Sequence, residues 1–176
     1  MQKILVLTFL LMALACDDGD LQIGTLDFDS ASIQFCDGNP VEADMANVLF
    51  KLNDTEALIL ELPSDAILNE VSTSDIEKSV SASGPAKITY RTFSDKVSKD
   101  YFCSEIPLTE PTVVEEIVAE GGSIFITTAI SADSTNYEHS ITLSGISLVT
   151  SKNSRITDLS INNFGTITTV VPIEEK

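Results

Sequence analysis

Apolar and polar residues alternate along much of the chain, and this period of two predicts β-strands. Residues 47–53, "NVLFKLN", alternate in this way, whereas residues 56–62, "EALILEL", are apolar on both faces, as in a central strand. The residues between them, "NDT", predict a tight turn, so that residues 47–62 form a hairpin. Further strands are predicted for "ASIQFC", "KITYRTF", "HSITLSGISLVTS", "RITDLSIN" and "FGTITTVV".

The segments "TVVEEIVAE" and "SIFITTAIS" flank the Gly121–Gly122 pair. Glycine supplies the positive φ angles that a two-residue hairpin turn needs, so the pair predicts a second hairpin. The alternation after this turn predicts that Ile124, Ile126 and Thr128 share one face of a strand. Gly145, inside a later strand pattern, predicts a bulge or a bend.

Helical signals are confined to residues 63–80, where Ile67, Leu68 and Val71 have helical spacing, although this Ser-rich segment could equally be a loop. Residues 104–112 carry two prolines and predict a crossover between the two halves of one domain. Roughly nine to eleven strands without a helical layer predict an all-β fold. The predicted architecture is an antiparallel two-sheet β-sandwich, immunoglobulin-like or jelly-roll, with at most one short helix.

The first residues have a different pattern. Lys3 precedes an apolar run at residues 4–14, which is too short to span a bilayer but typical of the apolar core of a secretory signal. Residues 13–16, Ala-Leu-Ala-Cys, resemble the lipobox of bacterial lipoproteins, in which the cysteine is lipidated and becomes the new N-terminus. The resemblance implies that Cys16 carries lipid. An ordinary cleaved signal followed by a chance cysteine is the alternative.

The acidic residues after Cys16, "DDGD", resemble the surface-export signal of Bacteroidetes lipoproteins, whereas in enterobacteria an Asp at this place tends to retain lipoproteins in the inner membrane. The stretches "CDDGDLQIGTLDFDSASIQFC", "YRTF", "DYFCSEIP" and "EEIVAEGGSIFITT" resemble a group of uncharacterised flavobacterial lipoproteins. This resemblance implies a lipid anchor in the outer membrane with the protein exposed at the cell surface, and it implies no activity. The chain then divides into a signal peptide (1–15), the lipidated cysteine with an acidic tether (16–20) and a β-sandwich domain (21–176).

Charge and composition limit the classes of binding partner that we expect. The formal net charge is −17, from 10 basic and 27 acidic residues. Nucleic-acid binders carry a basic patch, and basic surfaces also attract anionic lipid, so neither partner is expected and the membrane is reached through the lipid anchor alone. Hydrophobic residues make up 43% of the chain, which is enough for a sizeable core.

Cys36 and Cys103 are predicted to form a disulfide. Export places the domain outside the reducing cytoplasm, and with Cys16 assigned to lipid only one intramolecular pairing remains. Each cysteine ends an apolar or aromatic run, "IQFC" or "DYFC", which predicts a strand end near the core. Two separate buried thiols are the alternative.

The single histidine, His139, is the first candidate for catalysis. Its neighbours Glu138 and Ser140 would point to the opposite face of a strand, so these three residues cannot form a triad, and we expect an ordinary histidine at a strand edge. Glu115 and Glu116 would also point to opposite faces. They fit solvated charge at a sheet edge better than the facing carboxylates of a glycosidase.

Other candidate sites are less specific. The aspartates near the N-terminus fit no EF-hand spacing, so we expect no metal or cofactor, with weak calcium binding in a loop as the alternative. The lack of Trp argues against a sugar platform, and the tyrosines are expected in the core or an interface. Two short motifs at Ser30 and Ser134 resemble the O-glycosylation motif of exported Bacteroidetes proteins. The aspartates are Asp17, Asp18, Asp20, Asp27, Asp29 and Asp37, and the tyrosines are Tyr90, Tyr101 and Tyr137.

These features predict a cell-envelope lipoprotein without enzymatic activity, which acts as a binding or structural module for an unidentified protein or glycan partner. A glycan-capture accessory module is the second hypothesis, and it requires an exposed cluster of Tyr and Phe. A hydrolase is the third, and it requires His139 to lie near a serine and a carboxylate from other strands.

Overall fold

The computed structural model describes residues 26–38, 40–150, 155–156 and 162–171. These residues form an antiparallel two-sheet β-sandwich with one short helix, which confirms the predicted fold class. The described part of the chain contains no helix that is long and apolar enough to cross a membrane. The strands are β1 (Asn47–Asn53), β2 (Glu56–Leu62), β3 (Ile76–Ser79), β4 (Lys87–Phe93), β5 (Val113–Ile130), β6 (Asn136–Val149), β7 (Arg155–Ile156) and β8 (Asn163–Val170), and the helix α1 spans Lys99–Cys103.

Strand β5 belongs to both sheets. In the first sheet the strand order is β1-β2-β4-β5, and only the first half of β5, up to Val118, pairs with β4. In the second sheet the later half of β5 pairs with β3 on one side and with β6 on the other, and β6 pairs in turn with β7 and β8. One long strand therefore connects the two layers of the sandwich.

The first hairpin is confirmed. Strands β1 and β2 pair in register from Asn47↔Leu62 to Asn53↔Glu56, which leaves Asp54 and Thr55 as the two residues of the turn. Asp54 has φ +51°, in the left-handed region that Asp tolerates better than most residues.

The predicted hairpin at Gly121–Gly122 is wrong, because β5 continues through the pair. The chain instead reverses at residues 131–135, between β5 and β6. The pairing of β5 with β6 shifts register on either side of Gly121, and Gly122 has φ +122° while Gly145 has φ +62°. The glycines therefore form a bulge, as predicted for Gly145, at the point where β5 passes from the first sheet to the second.

Beyond this bulge the predicted faces are confirmed. Ile124, Ile126 and Thr128 are buried, whereas Phe125 is half-buried and Thr127 is exposed. The regular period of two resumes because both neighbours of this half of β5 pair with it in register from Ser123 onward.

The helix considered for residues 63–80 does not form. The segment is a loop that buries Ile67 and ends in β3, which pairs with β5 from Ile76↔Ile126 to Ser79↔Ser123. The sequence did not predict α1, because "DYFC" alternates as a strand would. Residues 104–112 connect α1 to β5 and are not a crossover between two halves, since β4 and β5 are neighbours in the first sheet.

The first sheet is buried on both faces, which explains the apolar character of "EALILEL". Its inner face, which includes Leu49, Leu60 and Ile88, packs against the second sheet in the main core. A second cluster covers the outer face, where Phe50 and Ile59 pack under α1 and the disulfide. Full burial of each such side chain stabilises the fold by about 1.5–3 kcal/mol.

Residues 26–38 cover the side of the sandwich between β1 and β8. Gln34 makes an isolated antiparallel bridge to Phe50 in β1, with N···O distances of 2.8 and 2.9 Å. Ile33 packs so closely against Gly165 in β8 that a Cβ there would lie 2.8 Å from the Ile33 Cδ1. The strand predicted for "ASIQFC" is thus reduced to one bridge.

Candidate functional site

A groove opens on the outer side of the first sheet, beside the disulfide. It has a volume of about 530 Å³ and is hereafter called the disulfide groove. Its walls come from residues after the Gln34 bridge, from the start of β1, and from the end of α1 and the loop after it. The lining residues are Cys36, Gly38, Val48, Phe50, Phe102, Cys103 and Glu105.

The disulfide between Cys36 and Cys103 holds this groove together. The two Cα atoms are 5.3 Å apart, within the usual range, so the predicted pairing is confirmed. The bond ties the segment that covers β1 to α1, which lies 67 residues further along the chain. Neither cysteine ends a strand, since Cys36 follows the isolated bridge and Cys103 is the last residue of α1.

Stacked aromatic rings form the floor of the groove. The Phe50 and Phe102 rings are stacked with centroids 4.6 Å apart, and Tyr101 packs edge-on against Phe93 at 4.9 Å. Phe50 is buried, but Tyr101 and Phe102 on α1 remain half-buried. The helix therefore presents aromatic surface both to the sheet and to the groove.

Exposed apolar residues occur in the chain segments that contribute Val48 and Glu105 to the groove. Val48 is 49% exposed, and Ile106, which follows the lining residue Glu105, is 79% exposed. Met45 and Leu108 add further exposed apolar surface in the same two segments. Large apolar side chains that remain in water around a concave site are a common mark of an interaction surface.

His139 lies in the interior rather than at a strand edge, which corrects the sequence prediction. It is fully buried in β6, between β5 and β8. Its Nδ1 lies 2.9 Å from the Thr128 hydroxyl and its Nε2 lies 2.8 Å from the Thr169 hydroxyl. Thr169 donates its own hydrogen to Asn69, so Nε2 carries the ring proton and donates it to Thr169.

This hydrogen-bonded chain does not have the geometry of a hydrolytic triad. Both ring nitrogens of His139 contact threonines rather than a serine and a carboxylate. Glu138 and Ser140 are exposed on the other face of β6, as the alternation predicted. Burial lowers the pKa of His139, which favours the neutral ring inside the sandwich.

Glu115 and Glu116 lie in the half of β5 that forms the edge of the first sheet. Arg91, opposite Glu116 in β4, donates hydrogen bonds to it, with Nε 2.8 Å from Oε2. Glu116 is exposed and Glu115 half-buried, consistent with residues on opposite faces.

The tyrosines occupy three environments. Tyr90 is buried and donates a hydrogen bond to Glu56, and burial together with this carboxylate raises its pKa. Tyr101 packs in the aromatic cluster, and Tyr137 is half-buried in β6.

The remaining predicted sites are dispersed. Cys16 and the aspartates 17, 18 and 20 lie outside the described residues, whereas Asp27 and Asp29 lie at an exposed turn and Asp37 pairs with Lys99 at 2.7 Å. Within the described part of the chain, no group of three or more His, Cys, Asp or Glu side chains is arranged so that it could hold a metal ion. Ser30 and Ser134 are both exposed in turns.

Lys51 is a buried charge that sequence reasoning missed. It lies on the inner face of β1 and is 4% exposed. Its Nζ donates a hydrogen bond to the Phe28 carbonyl at 3.0 Å and lies 5.6 Å from the centroid of the Phe164 ring. Burial lowers its pKa, and the nearby Asp29 carboxylate partly opposes that effect. Nothing in the strand pattern distinguishes this lysine from an exposed one.

Comparisons of the chain with protein-family models, curated proteins and solved structures found no match. The functional argument therefore rests on the groove and on the sequence.

Proposed function

We propose that this protein is a lipid-anchored cell-envelope module at the outer membrane, and that its β-sandwich binds a partner without catalysis. The observation that carries the binding role is the disulfide groove, with its mostly apolar lining and the exposed Val48 at its edge. A volume of about 300–1,000 Å³ with mostly apolar walls and few polar groups is typical of protein binding sites.

The anchor is supported by the sequence pattern alone. The apolar run at residues 4–14 ends near Cys16, and an acidic tether follows. Diacylated cysteine would hold the module at the membrane, because two lipid chains anchor a protein stably whereas one does so only marginally.

The anchor is tested by fatty-acid labelling of cells that express the wild type or Cys16→Ser. We expect label on the wild type and none on the variant, and protease treatment of intact cells should remove the domain. Equal labelling of both forms would reject the anchor, whereas full protection from protease would reject only the outward orientation.

The binding role is tested by cross-linking on intact cells followed by purification. Val48→Lys places a charge on the groove rim, and Val71→Lys is the matched control, since Val71 is also exposed but lies in the loop before β3. A cross-linked partner that is lost from Val48→Lys and kept by Val71→Lys supports the proposal. The same cross-links in all three forms would reject the groove as the binding surface.

A glycan-capture module is the second candidate. It is favoured by the half-buried Tyr101 and Phe102, which cluster with Phe50 and Phe93 on one side of the first sheet. Aromatic rings can bind the apolar face of a sugar. In this cluster Phe50 and Phe93 are buried, and only Tyr101 and Phe102 are partly exposed.

A further inference from the structure

We infer that the disulfide groove receives an extended peptide that carries one bulky apolar side chain between lysines or arginines, and that this peptide pairs with the outer edge of β1. The inference rests on the proposed binding role and names the partner chemistry. Three features of the groove lead to it: a strand edge, an apolar recess and an excess of negative charge.

The strand edge lies at Val48. Phe50 directs its backbone N–H and C=O to Gln34, so these groups point away from β2. Because the direction of backbone hydrogen bonds repeats every second residue, Val48 directs its N–H and C=O to the same outer edge. None of the residues that the structure describes forms a backbone hydrogen bond with Val48 on that edge. Among the described residues, the covering segment pairs with β1 only at the Gln34–Phe50 bridge, and Cys36 and Gly38, which follow this bridge, line the groove.

The recess beside this edge suits one large side chain. Its lining is formed by apolar side chains, the disulfide and a glycine, with Glu105 as the one charged side chain among the lining residues. Addition of a strand supplies main-chain hydrogen bonds, and a pocket beside the strand selects alternate side chains. A sugar would bring many hydroxyl groups to a lining that offers them few partners.

Charge favours a basic partner. The two segments that carry the lining residues, 36–50 and 102–105, contain no basic residue, and the nearby Lys99 already pairs with Asp37. The acidic residues of these segments include Glu105 on the groove itself. A second copy of this chain would bring the same negative charge to the interface, which disfavours self-association through this face.

The test uses the full chain in detergent. The probes are fluorescein-labelled peptides of alternating pattern: Lys-Thr-Phe-Thr-Lys, the same peptide with Glu in place of Lys, and the same peptide with Ser in place of Phe. Binding is measured by fluorescence anisotropy, and the contact surface by amide NMR shifts.

We expect the Lys-Thr-Phe-Thr-Lys core to bind at least about tenfold more tightly than either altered peptide. The NMR shifts should be centred on Gly38, Val48 and Glu105. Glu105→Lys should weaken binding by about fivefold, the size expected for an exposed charge pair. Glu138→Lys, the same change on the exposed face of β6, should leave it within about twofold.

Val48→Pro tests the strand edge, because it removes the outward N–H without removing a bond to β2. We expect this variant to lose peptide binding while Val48→Thr, which keeps the N–H, retains it. If Val48→Pro fails to fold, Glu105→Lys still decides the charge requirement.

Equal affinity for the lysine and glutamate peptides, or no binding of any peptide up to about 1 mM, would overturn the inference. Groove shifts with an oligosaccharide panel and none with peptides would also overturn it, yet would leave the binding role of the groove intact. Failure of the binding role itself would instead appear as unchanged cross-links for Val48→Lys on cells.

Discussion

At the scale of single residues, His139 shows how a polar side chain is accommodated between two sheets. Thr169 donates its hydroxyl hydrogen to Asn69, so it accepts a hydrogen bond from Nε2 of His139. Nδ1 therefore carries no hydrogen and accepts one from Thr128. Protonation would add a hydrogen at Nδ1, where the Thr128 hydroxyl already donates. Burial and the direction of this chain therefore both favour the neutral ring.

This histidine predicts a pH dependence of stability. Its pKa is lowered from the ordinary 6.5, so the unfolded chain takes up a proton before the folded one does as the pH falls. The free energy of unfolding should decrease below about pH 6.5 and level off below the folded pKa. Urea unfolding between about pH 5 and 7 measures this slope. His139→Gln keeps a donor and an acceptor but cannot titrate, so its slope should be smaller; identical slopes would contradict the prediction.

Gly122 predicts a sharp steric effect at the bulge. A Cβ added there would lie 2.6 Å from the Ile146 Cδ1, 2.9 Å from the Ile146 Cα and 3.0 Å from the Gly145 carbonyl oxygen, at φ +122°. Gly122→Ala should lower the free energy of unfolding by about 2 kcal/mol or more. Gly121→Ala is the matched control, since its Cβ would meet nothing within 4 Å. Denaturant unfolding that shows equal losses for both variants would refute the role of Gly122.

At the scale of elements, the disulfide supports both α1 and the segment that covers β1. Removal of a cross-link over 67 residues should cost about 4 kcal/mol in the chain-entropy model. We expect Cys36→Ser combined with Cys103→Ser to show this loss in urea unfolding, and amide exchange to increase first in α1. The control is thiol titration of the unfolded wild-type domain without reductant, with Cys16 replaced by Ser. Two reactive thiols there would contradict the bond.

The sequence pattern predicted correctly those strands in which buried and exposed side chains alternate regularly. The β1–β2 hairpin and the faces of Ile124 and Ile126 followed from alternation, because both elements contact a core on a regular period. The hairpin turn predicted at Gly121–Gly122 was wrong, because a positive φ angle occurs in a bulge as well as in a turn. Only the partner strand β6 decides between them, and the sequence does not reveal strand pairing.

The candidate site was harder to predict than the fold. The disulfide could be predicted because only two cysteines remain once Cys16 is assigned to lipid. The groove could not, because its residues come from the covering segment, β1, α1 and the loop after α1. Nothing local to "DYFC" shows that Phe102 stacks on Phe50. The burial of Lys51 likewise depends on Phe28 and Phe164, which come from distant parts of the chain.

At the scale of the whole molecule, negative charge far exceeds what ion pairs neutralise. The formal net charge is −17, and among the described residues the ion pairs are Asp65–Lys78, Glu61–Lys87, Glu116–Arg91 and Asp37–Lys99. Exposed pairs of this kind contribute about 0–1 kcal/mol each. Repulsion among the remaining carboxylates should therefore oppose the compact state.

This excess charge predicts that salt stabilises the domain. Raising NaCl from about 0.01 M to 0.1 M shortens the screening length from about 30 Å to about 10 Å. The repulsion weakens more in the folded state, where the charges are closer, so the free energy of unfolding in urea should rise by on the order of 1 kcal/mol. A decrease with salt would mean that the ion pairs outweigh the repulsion. Calcium chloride at matched ionic strength should produce the same rise, whereas a larger, saturable rise would support the alternative of calcium bound in an acidic loop.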